Sequence, residues 1–105
     1  MELKEIQERF YYFLKERNWL EFSSSDVLLH LIEELSEIGK YLLFESGYKD
    51  ESGHKRPDIT ELPREFAQAF SLFLQLCIYM KVDLEDAWTN EIKKMRERFP
   101  IDKQK

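Results

Sequence analysis

Apolar residues recur along this chain with a helical period and nowhere alternate as strands require, so the pattern predicts an all-α fold of four helices. In the first, from about Glu2 to Asn18, Leu3, Ile6, Phe10 and Phe13 share one face with charged residues between them. Ser23, Ser24, Ser25 and Asp26 offer N-cap oxygens to a second helix that reaches about Phe44. Its apolar stripe reads as Leu28, Leu31, Leu35, Ile38 and Leu42. From Glu45 to Ile59 charge and helix breakers take over, which predicts a long surface connection. Thr60 is placed to cap a third helix that carries Pro63 in its first turn and runs through about Lys81. That helix is apolar nearly all round, as expected at the centre of a bundle or in a subunit interface. Asp83 is the natural cap of a fourth, whose Leu84, Trp88, Ile92, Met95 and Phe99 recur at helical spacing until Pro100 stops it.

Composition narrows the picture. A chain of 105 residues with 43% hydrophobic content, three glycines and three prolines describes one domain spanning 1–105. A net charge of −5 argues against a general grip on nucleic acid, yet leaves room for an anionic ligand bridged by a cation. The cations Lys93, Lys94, Arg96 and Arg98 complement the dipole of the last helix and are diluted by acids, so they do not make a nucleic acid patch. Cys77 stands alone, which excludes a disulfide framework and a thiol pair for zinc; it reads as a buried small hydrophobe and fits a reducing cytoplasm. No basic leader with an apolar core opens the sequence, and the longest apolar run, Phe66 to Met80, is short for a bilayer and interrupted by Gln68 and Gln75. Neither secretion nor a membrane partner is expected. The apolar third helix and aromatic first helix offer more hydrophobic surface than one protomer readily hides, so a homodimer or a dimer of dimers is expected.

Chemistry enters with HLIEELSEIGKYL, residues 30–42. Glu33, Glu34 and Glu37 cover roughly a third of the helix circumference, on the side opposite the stripe just named. Such a string is ordinarily a solvated acidic face. The third helix changes its meaning, because Glu65, Gln68, Leu72, Gln75 and Tyr79 draw a polar line along an otherwise apolar helix. If that line faces the glutamates, the carboxylates meet in a partly enclosed site and repel unless a hard cation neutralises them. His30 lies on the side of Glu34 and Glu37 and reads as a histidine paired with a carboxylate. Trp19 and Trp88 read as core or interface aromatics.

The pairing of EELSE (Glu33, Glu34, Glu37) with EFAQ (Glu65 to Gln68), followed by VDLEDAWTNEIKKMRERFP, resembles the MazG-like all-α nucleoside triphosphate pyrophosphohydrolases, relatives of the dimeric dUTPases and phosphoribosyl-ATP pyrophosphatases. The likeness runs from about Trp19 over most of the chain. The family signature is EExxE followed by ExxD; Gln68 stands where the aspartate would be, and Glu91 and Met95 stand where a Lys and an Asn are usual, while Arg98, Phe99 and Pro100 match. The resemblance implies a four-helix MazG-like bundle. It also implies hydrolysis of a nucleoside triphosphate to monophosphate and pyrophosphate with Mg²⁺ or Mn²⁺. Glu34, Glu37 and Glu65 would be metal ligands, with Gln68 a weaker one through its amide oxygen. Glu33, Glu34 and Glu37 form the catalytic set, Glu33 as ligand or as the base that orients water. Lys55 and Arg56 in the long connection, and Arg98 at the end of the last helix, are candidates for phosphate contact. The other function class is a non-catalytic or weakly active helical homodimer that binds nucleotides or partners.

Overall fold

A computed structural model describes residues 1–101 and shows an all-α bundle of four helices packed against one another. They are α1 (Leu3–Glu16), α2 (Ser24–Glu45), α3 (Leu62–Tyr79) and α4 (Leu84–Arg98), with a single 3₁₀ turn, Ile59–Glu61, ahead of α3. Two predicted caps are in place. The Ser23 hydroxyl accepts from the Asp26 N–H at 3.1 Å and the Asp83 carboxylate accepts from the Asp86 N–H at 3.1 Å, each satisfying an orphan donor of the first turn. The predicted Thr60 cap is not. Asp58 takes that part, accepting from the Thr60 N–H at 3.0 Å and the Thr60 hydroxyl at 2.7 Å, so it caps the 3₁₀ turn from which α3 continues with Pro63 near its start. A carboxylate two residues upstream reaches an N–H that the Thr60 side chain, bound to Asp58, does not.

The first three helices end by a common device. Asn18 (φ 59°), Gly47 (φ 81°) and Lys81 (φ 57°) follow α1, α2 and α3 in the left-handed region. After α3, the Val82 N–H reaches the Cys77 carbonyl at 2.8 Å and the Lys81 N–H reaches Ile78 at 3.2 Å.

The central unit is the α2–α3 pair. Val27 and Leu31 of α2 pack on Ala69 and Leu72 of α3, with Ile38, Leu76 and Tyr79 around them. The N-terminal end of α2 lies beside the C-terminal end of α3, so the two run antiparallel. α1 packs on α3 and buries Leu14 completely, and α4 leans chiefly on α1. The core face of α2 is therefore Val27, Leu31, Glu34, Ile38 and Tyr41, rotated from the predicted stripe. Leu28, Leu35 and Leu42 of that stripe are exposed. The apolar arc of α2 is wider than one neighbour covers, and only one edge of it meets α3. Exposure extends to Trp88 and Met95 of α4, a helix with no buried residue, to Phe99 just after it, and to Phe66, Phe70 and Phe73 of α3. Cys77 is buried, as its surroundings predict.

One side chain joins α1 to the turn between α3 and α4. The Gln7 amide nitrogen donates to the Val82 carbonyl at 2.7 Å, and its oxygen accepts from the Leu84 N–H at 3.0 Å. Lys4 adds an ion pair to Asp83 at 3.2 Å. No helix is long and apolar enough to cross a membrane among the described residues.

Candidate functional site

α2 presents acids on the flank turned toward α1 and along the seam with α3, and the packing decides which of them matters. Glu34 belongs to the seam: its side chain is only 15% exposed, whereas Glu37 stands at 41%. The α3 residue opposite is Glu65. Burial raises its carboxyl above the ordinary glutamate range, and a hydrogen bond with Glu34 together with the charges of Glu34 and Glu37 pushes it the same way, while Arg64 opposes. Carboxyls set this close repel when both are charged, and a proton or a cation relieves that repulsion. Of the predicted set Glu34, Glu37 and Glu65, Glu34 is the α2 acid set against Glu65, and Glu37 acts on it through charge alone.

Glu33 is exposed, but with His30 and Glu34 it forms a second grouping whose ligand-capable atoms all lie within 4.8 Å of one another. His30 Nε2 sits 3.5 Å from Glu34 Oε1, the carboxylate pairing that its place in the sequence implies. Glu37 is held by Lys40, whose Nζ donates to both carboxylate oxygens at 3.2 and 3.1 Å. The two acidic groupings share Glu34.

The polar line of α3 divides. Glu65 stands against Glu34 and Gln68 lines the same cavity as Glu34, but Gln75 and Tyr79 serve the backbone. The Gln75 amide donates to the Tyr79 hydroxyl at 2.8 Å and to the Trp19 carbonyl at 3.4 Å, and the Tyr79 hydroxyl donates to the same carbonyl. Gln75, 6% exposed, is a buried polar group whose bonds fasten the α1–α2 connection to α3. Polar spacing alone could not separate that duty from ligand binding.

Beside Glu34 opens a cavity of about 600 Å³, walled by Phe10, Phe13, Trp19 and Phe22 and edged by His30, Gln68 and Ser71. The aromatic residues come from α1 and the α1–α2 connection, with Phe13 and Trp19 meeting edge to face at 5.9 Å between ring centroids. Sequence reasoning assigned such aromatics to core or interface. The signal available was their clustering just before the acidic helix, which predicts a wall only once α1 is known to lie across α3. Apolar walls with a few convergent polar groups are the general character of a small-molecule site.

The predicted phosphate-binding cations lie elsewhere. Arg56 Nε binds Glu51 Oε1 at 2.6 Å, and its guanidinium stands over Phe44 at 5.3 Å from the ring centroid. It borders a separate hollow of about 720 Å³ between the end of α2, the long connection and the start of α3. Lys55 lines a small recess with Lys40, Phe44, Lys49 and His54. Arg98 rests over the ring of its neighbour Phe99, and no residue of α4 lines the aromatic cavity. No family model, curated protein or solved structure matches this chain.

Proposed function

We propose that this protein is a metal-dependent nucleotide pyrophosphohydrolase that cleaves a nucleoside triphosphate to the monophosphate and pyrophosphate. The observation that carries the reading is Glu34, which stands against Glu65 in the α2–α3 seam and also lines the aromatic cavity. The donor set fits Mg²⁺ or Mn²⁺: three carboxylates from two helices, all oxygen, with one carboxyl pair strained by proximity. Glu34, Glu37 and Glu65 would hold the ion, and the Gln68 amide oxygen would add a weak neutral donor. When bound, such a cation neutralises phosphate charge and makes nearby water a stronger acid.

The chain's own residues then divide the work. The aromatic walls take the planar base by stacking. Glu33, exposed at the rim of the seam, accepts the proton of the attacking water and orients it. Lys40, released from Glu37, becomes available to a phosphate oxygen. Lys55, Arg56 and Arg98 act as phosphate contacts only if the long connection and α4 come to the seam on binding.

Gln68 favours a second reading, a nucleotide-binding or interaction module with little activity, because its amide supplies no negative charge. One experiment separates the two: pyrophosphate release from a panel of nucleoside triphosphates with and without Mg²⁺. Magnesium-dependent release supports hydrolysis, and nucleotide binding without release supports the module. Gln68→Asp should raise turnover about tenfold, as about 1.4 kcal/mol of added transition-state stabilisation would. Glu37→Ala should lose most of the magnesium-dependent rise in melting temperature; an unchanged rise would mean that the glutamates are a solvated face.

A further inference from the structure

Lys40 of α2 and Lys49, His54 and Lys55 of the long connection line a recess of about 160 Å³ against the ring of Phe44. It lies apart from the aromatic cavity, and the two have no residue in common. Lys40 and Phe44 follow Glu33 and Glu37 at seven-residue spacing, so the recess continues the acidic flank of α2 toward its C-terminal end. The chain then turns back on itself. Gly47 takes φ 81°, and the Lys49 N–H reaches the Leu43 carbonyl at 3.0 Å, which sets Lys49 beside the last turn of the helix.

Little answers the charge of this group. Glu51 is taken by Arg56 Nε at 2.6 Å, and Asp50 accepts from the Ser52 hydroxyl and from the Ser52 N–H at 3.0 Å. Those two bonds, with a lesser pull from the charge of His54, hold the Asp50 carboxyl below the ordinary aspartate range. Of the three ammoniums, that of Lys40 meets Glu37 at 3.1 Å. Among the described residues neither Lys49 nor Lys55 has a carboxylate at ion-pair distance. Lys49 is partly buried as well. The carbonyls of Leu42, Leu43 and Phe44 already accept from backbone N–H groups, so the helix end does not occupy the Lys49 ammonium. Ammoniums gathered round one recess repel, and a chain of net charge −5 has acids enough to set among them. An anion with several oxygens relieves that repulsion and gives each ammonium an acceptor.

We propose that the recess binds a phosphate-type oxyanion through Lys40, Lys49 and Lys55 with His54 at its side, and that Lys40 couples this anion to the carboxyl seam. When the anion takes the Lys40 ammonium, Glu37 loses its counter-charge and its carboxylate becomes available to a cation shared with Glu34 and Glu65. Oxyanion and cation then strengthen each other's binding by the same factor, as linkage requires. The coupling rests on the metal reading proposed above; the anion site does not. The anion stays at the connection, and the seam need not close on it.

Calorimetric titration of the metal-free chain with inorganic pyrophosphate tests this, with a nucleoside triphosphate as a second arm. Pyrophosphate should bind, and more weakly as salt rises. Lys49→Met and Lys55→Met should each weaken binding about tenfold, as the loss of one charge-assisted hydrogen bond does, while Lys94→Met on α4 leaves it unchanged. Lys49→Arg, which keeps the charge, should bind nearly as the parent does. Glu37→Gln keeps the shape of the side chain and strips Lys40 of its counter-charge, so it should tighten pyrophosphate binding with no metal present. Equal affinities in the two arms identify the phosphate chain as the group recognised, and a favoured triphosphate identifies a nucleotide as its carrier; either supports the site. No binding of pyrophosphate at millimolar concentration, or binding that Lys49→Met leaves at full strength, would overturn the site, and an unchanged affinity in Glu37→Gln would overturn the coupling. Pyrophosphate binding without magnesium-dependent hydrolysis would leave the site standing and remove the pyrophosphohydrolase, so the two readings fail separately.

Discussion

Glu65 concentrates the electrostatics of the seam in one titratable group. A carboxyl whose proton affinity is raised in the fold binds its proton more tightly there than in the unfolded chain. Its contribution to stability is therefore full below the ordinary glutamate range and is lost as pH rises through its raised value. The metal-free protein should lose melting temperature over that interval, magnesium should restore it, and Glu65→Gln should flatten both responses in a thermal titration. Asp58 and Asp83 run the other way. Hydrogen bonds from Thr60 hold Asp58 low and the Asp86 N–H holds Asp83 low, so their contributions are present above the ordinary aspartate range and fade in acid. Lys81 gives a second prediction. A side chain at φ 57° carries a steric cost that glycine escapes, so Lys81→Gly should stabilise by about 0.5–1 kcal/mol in a denaturant titration. The caps at Ser23 and Asp83 were legible from residue type and place. The Asp58 cap was not, because Asp58 and Thr60 are both good caps and only the path of the connection selects between them.

Between elements, Gln7 is the hinge pin of α1. Its amide satisfies a carbonyl and an N–H of the turn before α4, so Gln7→Ala should cost about 1–2 kcal/mol by chemical denaturation. The existence and order of the helices were legible from periodicity, since each has an apolar face and a defined end. The core face of α2 was not. Val27 to Leu43 offers apolar residues over more than half the circumference, so periodicity fixes a helix but not its rotation. The choice of the edge with Val27, Leu31 and Ile38 is what carries Glu34 into the seam. The approach of Glu65 to Glu34 was legible from their spacing, whereas the aromatic cavity depends on how α1 crosses α3, which no local pattern encodes.

At the scale of the whole molecule, a radius of gyration of 18.0 Å stands against about 13 Å for a compact chain of this length. The homodimer expected from the apolar third helix would make stability a function of concentration. The melting temperature should therefore rise over a hundredfold increase in protein, and a constant value would argue for a self-sufficient protomer. The Gln7 clamp has a kinetic consequence. It joins residues 75 and 77 positions apart, whereas α2 and α3 are neighbours across one connection. Each doubling of a closed loop adds about 0.6 kcal/mol, so the expected order is that the α2–α3 hairpin assembles first and α1 docks on it after the folding barrier. Gln7→Ala should then quicken unfolding about tenfold while refolding keeps its rate, leaving the first helix as the part of the chain last to arrive and first to leave.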